Sequence, residues 1–261
     1  MIYKFDNIDI TTYGVWPAAG DGGAAISGVF DFPKRKGEVE RNWGNRIEPY
    51  LDPEDLNFEG RVIGLKLVME DLANMERFRA ACVACRKLGT EVGDFDVVLA
   101  SEVNVEKVVD RMVKIDLKFK EYQVGFETLT WVGSGGPGAR VDDFNLAADF
   151  GISVLNVKGE LQVPKRIEVN TTAPYMNTIY RENPSLAVEC VMRATDWAGI
   201  GRKMRQFHAL WRQPGTRRLE LADGHTRFVY VKDGFSVSGV GNGMVKFTLN
   251  LKEYDQDIQE S

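Results

Sequence analysis

Three cysteines and two histidines are the side chains in this sequence whose chemistry best suits metal binding or nucleophilic attack. Cys82 and Cys85 have the Cys-x-x-Cys spacing of half a zinc site or of a redox motif. No second pair follows them, because Cys190, His208 and His225 are scattered along the chain. Both paired cysteines also fall on the apolar stripe of a predicted helix, which favours core packing. The sequence therefore predicts no metal site and no bound cofactor.

The two histidines offer no recognisable catalytic arrangement. A Ser-His-Asp or Cys-His centre needs one of them, and neither has a nucleophile on a strained strand-to-helix turn nearby. The acidic pair Glu70-Asp71 is explained by a helix N-terminus. The glycines of Gly133–Gly138 are not followed by the Lys-Ser or Lys-Thr pair and the helix of a phosphate loop. We therefore predict that the protein is not an enzyme and that His208 lies on a helix surface.

A run of basic side chains is the most strongly charged local feature. A solvated helix face explains it, and a face that contacts an acidic partner subunit or passing nucleic acid is the alternative. The chain carries a formal net charge of −5, which argues against nucleic-acid binding through the whole surface. The residues predicted for this basic partner face are Arg202, Lys203, Arg205 and Arg212.

Two stretches that repeat each other determine how the rest of the chain is interpreted. Met112–Tyr122 reads MVKIDLKFKEY and Met244–Tyr254 reads MVKFTLNLKEY, at a constant offset (244 − 112 = 132). Apolar and polar residues alternate strictly in both, which is typical of a strand with one face on a core. A duplicated closing strand indicates a duplicated domain.

A strand and a helix also recur in each copy. Arg61–Met69 and Leu186–Ala194 alternate in the same phase at an offset of 125 (186 − 61). Apolar residues at steps of three and four then predict one amphipathic helix in each copy. Asp71 and Asp196 are the predicted N-caps. The predicted C-terminal ends of the helices are the pairs Gly89-Thr90 and Gly215-Thr216.

A long irregular stretch precedes each of these strands, at Glu40–Gly60 and at Asn170–Pro184. Loops of this length without secondary structure are uncommon in compact domains and usually have a function. Exposed aromatic side chains on such loops favour contact with a partner. The predicted inter-subunit contacts are Trp43, Tyr50, Tyr175 and Tyr180.

These patterns predict a mainly β (α+β) protein with two tandem domains, each a β-sandwich or open barrel with one packed helix. The first domain is expected over residues 1–122 and the second over residues 142–255. Residues 123–141, rich in Gly and Pro, are expected to form a linker or hairpin, and residues 256–261 a C-terminal tail. The start of the chain lacks a basic region followed by a long apolar one, so no signal peptide is predicted.

The element order in each copy resembles the tail-tube fold of phage tail tubes, distal tail proteins and baseplate hubs. The shared order is strand, strand, long loop, strand, helix, hairpin and closing strand. The opening at Phe5–Val15 is also similar to the start of distal tail proteins. The resemblance covers nearly the whole chain and depends on element order and duplication, because no short motif identifies the family.

This resemblance implies a structural protein of a phage or prophage tail, or of a related injection machine. The implied role is a distal tail or baseplate hub ring that joins the tail tube to the tip and lets DNA pass. Two tube domains in one chain imply a trimer, whereas the usual distal tail protein is a hexamer, so both ring sizes stay open. Implied partners are further copies of the chain and other tail or baseplate proteins. DNA is expected only in transit.

The implied location is the bacterial cytoplasm during assembly and then the virion tail, without membrane insertion. A tandem β-sandwich module that binds a carbohydrate or a surface protein through the aromatic loops is the alternative. Self-association separates the two functions, because a ring of three or six chains favours assembly and a glycan-binding monomer favours the module.

Overall fold

The computed structural model describes residues 2–18, 24–43, 47–109, 112–159, 166–170, 177–181, 183–222, 224–241 and 243–254. Within these ranges the side chains of residues 107–109, 166–170, 177–181 and 240 lie outside the description. Strands make up 44% of the structure and helices 19%, so the predicted mainly β class is confirmed. Both closing strands and both helices that the sequence predicts are present.

The first half of the chain contains twelve described strands and one α-helix. In order they are β1 (Lys4–Phe5), β2 (Ile8–Asp9), β3 (Val15–Pro17), β4 (Ile26–Ser27), β5 (Glu40–Asn42), β6 (Ile47–Pro49), β7 (Arg61–Met69), α1 (Met75–Ala84), β8 (Lys87–Thr90), β9 (Gly93–Asp96), β10 (Val98–Leu99), β11 (Asn104–Val109) and β12 (Met112–Glu121). Short 3-10 turns at Ile10–Tyr13, Pro53–Asp55 and Leu72–Asn74 join some of them.

The second half contains ten described strands and two α-helices. In order they are β13 (Arg140–Val141), β14 (Phe144–Asn145), α2 (Leu146–Phe150), β15 (Ile152–Lys158), β16 (Arg166–Asn170), β17 (Asn177–Arg181), β18 (Ser185–Arg193), α3 (Trp197–Trp211), β19 (Arg217–Glu220), β20 (Thr226–Val231), β21 (Val237–Gly241) and β22 (Met244–Glu253).

A pair of long antiparallel strands lies at the centre of each half. In the first half β12 pairs with β7, and Val113 lies opposite Met69. In the second half β22 pairs with β18, and Val245 lies opposite Met192. The apolar residues of both closing strands are buried, as their alternation predicts. β3 and β4 flank β7 just as β15 flanks β18, and β10 and β11 flank β12 just as β20 and β21 flank β22.

The two strand pairs have the same register. The closing strands are displaced by 132 residues (245 − 113) and their partners by 123 (192 − 69). Ile63 therefore corresponds to Leu186, and the alignment at an offset of 125 is wrong by two residues. The error left the buried face unchanged, because side chains repeat every two residues along a strand.

A hairpin turn at the start of each half repeats in atomic detail. Asp6 and Asp142 both have positive φ angles, 46° and 53°. The Asp6 carboxylate accepts hydrogen bonds from the backbone N–H groups of Arg86 and Lys87. The Asp142 carboxylate accepts one from the backbone N–H of Arg218. Each aspartate thus joins the first hairpin of its half to the strand that follows the helix.

The helices differ from the prediction at their ends. The first helix ends at Ala84, Cys85 follows in an extended conformation, and Gly89 and Thr90 belong to β8, so their predicted capping role is wrong. The second helix ends at Trp211, before Gly215. The Asp196 side chain caps it at the N–H of Gly199, as predicted. Asp71 caps the short 3-10 turn before the first helix instead, at the N–H of Ala73.

The first stretch that the sequence predicts to be irregular contains a two-stranded antiparallel ribbon, and the second contains one strand of another ribbon and the last residue of its partner strand. In the first half β5 pairs only with β6 among the described strands, and in the second half β16 pairs only with β17. Each ribbon has the same position in the element order, because β5 and β6 precede β7 just as β16 and β17 precede β18. The prediction of loops without secondary structure is therefore wrong, because neither stretch has the long alternation that identifies a strand.

One continuous apolar core joins the two halves. The segment around Phe32 connects them, because Phe32 and Phe235 exchange backbone hydrogen bonds of 2.9 and 3.1 Å. Their rings stack with centroids 5.4 Å apart. The segment predicted as a linker packs on this core through Phe126, and its last two residues form β13 in the second sheet. Among the described residues, no helix has the length and apolar character needed to cross a membrane.

Candidate assembly surfaces and the cleft between the halves

The predicted loop contacts lie on or next to the two ribbons. Trp43 follows β5, is 49% exposed, and donates a hydrogen bond from its indole nitrogen to Glu48 of β6. The Arg41 guanidinium lies 3.9 Å from the centre of the Trp43 ring and covers one face of it. Tyr50 follows β6 and is half-buried. Tyr175 lies outside the described residues, and Tyr180 lies in β17, whose side chains are not described.

The longest strand at the edge of a sheet is in the second half. β15 pairs with β18 on one side, and none of the described strands pairs with its other side. The pairing with β18 shifts register between Val154 and Asn156, and Leu155 at this bulge is 56% exposed. An edge strand with an exposed apolar residue is a surface on which another strand can be added.

The four basic residues predicted for one partner face separate into two environments. Arg205 pairs with Glu127 at 2.8 Å and also donates to the carbonyl of Val92. The Arg212 guanidinium lies over the Phe126 ring at 5.4 Å. Arg205 therefore joins α3 to the first half and to the connecting segment, and Arg212 joins α3 to the connecting segment. Arg202 and Lys203 line a separate surface groove at the N-terminal end of α3.

A cleft of about 280 Å³ lies between the two halves, next to the middle and the last turn of α3. Arg61 and Glu121 line it and form an ion pair of 2.5 Å, and their side chains are only 8% and 6% exposed. Arg61 also donates to the carbonyls of Val29 and Asp31. Burial raises the pKa of Glu121, and the neighbouring Arg61 opposes that rise. The pair is therefore a structural cross-link of the first half.

His208 also lines this cleft and is buried, so its prediction as a helix-surface residue is wrong. Its Nε2 lies 3.1 Å from the carbonyl oxygen of Phe30, in the other half. Burial, helped by the charge of Arg61, lowers the pKa of His208 to about 3. The imidazole is therefore neutral at neutral pH and acts as a donor to that carbonyl. The sequence signal for the burial of His208 was its position beside Phe207 on the apolar stripe of the helix.

The cysteines do not form a reactive or metal-binding group. Cys82, Cys85 and Cys190 are all buried as free thiols, and burial raises the pKa of each to about 12. A thiol with this pKa stays protonated and is a poor nucleophile. Among the described residues, no three His, Cys, Asp or Glu side chains converge as metal ligands would.

The arrangement as a whole provides structural cross-links and surfaces for association. The Arg61–Glu121 pair and the His208–Phe30 contact are buried, and the exposed features are the first ribbon and the β15 edge. Comparison of the chain with family models, with curated proteins and with solved structures found no match.

Proposed function

We propose that this chain is a structural subunit of a phage tail or a related injection machine, in the distal tail or baseplate hub ring. The observation that carries the proposal is the duplicated unit, whose central strands have the same register in both halves. Two like units in one chain supply two similar sets of edges, as a closed ring with pseudo-symmetry requires. Such a ring joins the tail tube to the tip and lets DNA pass through its channel.

Two further features support this proposal. Each half carries a ribbon at the same place in the element order that pairs with no other described strand, and such ribbons suit contact with an adjacent subunit. The edge of β15 needs a covering strand, because an open edge with exposed Leu155 promotes uncontrolled association. A net charge of −5 also suits a channel through which DNA must slide without sticking.

The mass of the particle in solution tests the proposal. Multi-angle light scattering after gel filtration is expected to give three or six times the chain mass of 29.3 kDa, and negative-stain micrographs are expected to show annuli. Leu155→Lys places a charge on the β15 edge and is expected to reduce the particle to smaller species. Val83→Lys is the matched control, because Val83 is 61% exposed on helix α1 and away from that edge.

The outcomes separate clearly. A ring that Leu155→Lys disrupts and Val83→Lys preserves supports assembly through the β15 edge. A wild-type chain that stays monomeric at every concentration, with no annuli, counts against the proposed ring. The second candidate, a carbohydrate-binding module, is favoured by exposed Trp43, because sugar rings stack on exposed aromatic faces. A monomer that binds a glycan array and loses binding on Trp43→Ala would establish it instead.

A further inference from the structure

A small cavity at the junction of the two halves is lined by hydrogen-bond donors that have no acceptor. Its volume is about 10 Å³. Arg35 comes from the first half, and Trp211 and Arg217 come from the second. Seven buried side-chain atoms of the described residues lack a hydrogen-bond partner, and four of them belong to these three residues. The four are Arg35 Nε, Arg35 Nη1, Trp211 Nε1 and Arg217 Nε.

The charge of Arg35 makes this cavity unusual. Arg35 is only 3% exposed, and its remaining nitrogen donates to the backbone carbonyls of Tyr50 and Asp55. No carboxylate forms an ion pair with it among the described residues. A buried guanidinium without a paired anion is costly, and removal of water lowers the pKa of Arg35. Such a group requires negative charge close by.

Nearby carboxylates do not meet this requirement by direct contact. Asp55 has the largest electrostatic effect on Arg35 and Glu40 a smaller one, and neither forms an ion pair with it. Glu40 instead accepts hydrogen bonds from Tyr230 and Lys232, each at 2.6 Å. Asp142 pairs with another nitrogen of Arg217 at 2.9 Å. None of the described residues that line the cavity is Asp or Glu. The lining therefore presents donors and positive charge, with no carboxylate among its described residues.

The size and the chemistry of the cavity together define its ligand. A cavity of roughly 10–15 Å³ holds one water-sized particle, which excludes sulfate, phosphate and organic anions. A water molecule accepts two hydrogen bonds and has two of its own to donate, so it leaves two of the four donors unpaired. A monatomic anion can accept more than two hydrogen bonds, donates none and also neutralises Arg35. We propose that the cavity binds a single halide ion, chloride in size, between the two halves.

Thermal unfolding of the full chain in matched salts tests this site. Sodium chloride is expected to raise Tm above its value in sodium gluconate of equal ionic strength, by about 2–4 °C once the site is saturated. Arg35→Met is expected to abolish the difference, and Trp211→Phe to reduce it. Arg79→Met is the matched control and is expected to keep the difference, because Arg79 is an exposed arginine paired with Glu76 on helix α1.

Bromide diffraction decides the question without any variant, and therefore also if Arg35→Met does not fold. Crystals of the wild-type chain grown in sodium bromide are expected to show an anomalous peak inside the cavity, within hydrogen-bond distance of Arg35 and Trp211. A cavity that holds water alone, with no bromide peak, overturns the proposal. So does a wild-type Tm that is identical in chloride and gluconate.

Discussion

The two halves of the chain build the same strands into different sheets. In the first half β9 and β10 are separated at Val97, so the equivalent strands form a four-stranded and a six-stranded sheet. In the second half β20 runs without a break, so the corresponding strands form one eight-stranded sheet. The pairing is otherwise equivalent, since Val98 lies opposite Lys120 just as Tyr230 lies opposite Lys252. One residue of irregular backbone is therefore enough to divide a sheet without changing its register.

The helices differ in a way that matters more for the whole molecule. Helix α1 has 10 residues and α3 has 15, and the last turn of α3 contains His208 and Trp211. His208 reaches the carbonyl of Phe30, and Trp211 lines the cavity next to Arg35. The repeated parts thus build each half, and the parts that differ between the copies hold the halves together.

The largest expected loss of stability comes from the core leucines of the two closing strands, which the halves have in common. Leu117 and Leu249 are equivalent and at most 1% exposed, so Leu117→Asp and Leu249→Asp are each expected to cost more than about 4 kcal/mol and to abolish folding. Soluble yield and near-ultraviolet circular dichroism measure the loss. Lys118→Ala, on the exposed face of β12, is expected to change little. A folded chain that carries both aspartates would show that the strand assignment is wrong.

The two halves differ in how deeply the glutamate at the end of each closing strand is buried with its arginine, and alanine variants measure this difference. Glu121 forms a buried pair with Arg61, whereas Glu253 lies 3.5 Å from Arg227 in a more exposed pair. Glu121→Ala is expected to cost about 3–5 kcal/mol because it leaves Arg61 buried and unpaired. Glu253→Ala is expected to cost less than Glu121→Ala, because its pair with Arg227 is longer and less buried. Urea denaturation measures both, and equal losses would contradict the assigned difference in burial.

The extra turn of α3 predicts a pH dependence. The pKa of His208 is about 3 in the folded chain, against the ordinary value of 6.5. Below pH 6.5 the unfolded chain takes up a proton that the folded chain does not, so stability is lost as pH falls. From pH 6.5 to pH 5 the loss from this residue is about 2 kcal/mol. Burial raises the pKa values of Asp31 and Glu121, which acts in the opposite direction.

Two phenylalanine variants isolate the histidine contribution from that of the carboxyl groups. His208→Phe is expected to remove this loss between pH 6.5 and 5, and His225→Phe, at an exposed position, to retain it. Urea denaturation at the two pH values gives the difference. The same pH slope in both variants would mean that His208 is protonated in the folded chain.

The smallest expected effect concerns the turn that both halves share. Asp6→Ala and Asp142→Ala each remove an acceptor from backbone N–H groups and place alanine at a positive φ angle, at an expected cost of about 1–2 kcal/mol. Asp143→Ala is the control, because its pair with Arg218 is exposed. Thermal unfolding ranks the three, and a loss in only one half would show that the two turns are not equivalent.

Alternation along Met112–Glu121 and Met244–Glu253 was sufficient to predict both closing strands and their buried faces, because burial imposes a period of two on any strand. The helix at Trp197–Trp211 followed from its apolar stripe in the same way. The ribbons were missed, since their strands are too short to show such a period. The first helix was extended too far, because Cys85 and Leu88 continue a helical spacing although they are buried in other conformations.

Local pattern thus determined the mainly β class, the repeated unit and which faces of its strands and helices are apolar. Only the tertiary structure decided which groups meet across the two halves, including His208 with Phe30, and Arg35 with the cavity it shares with Trp211. The physical reason is that the spacing of apolar residues shows which face of a segment is buried but does not identify the segment that covers that face.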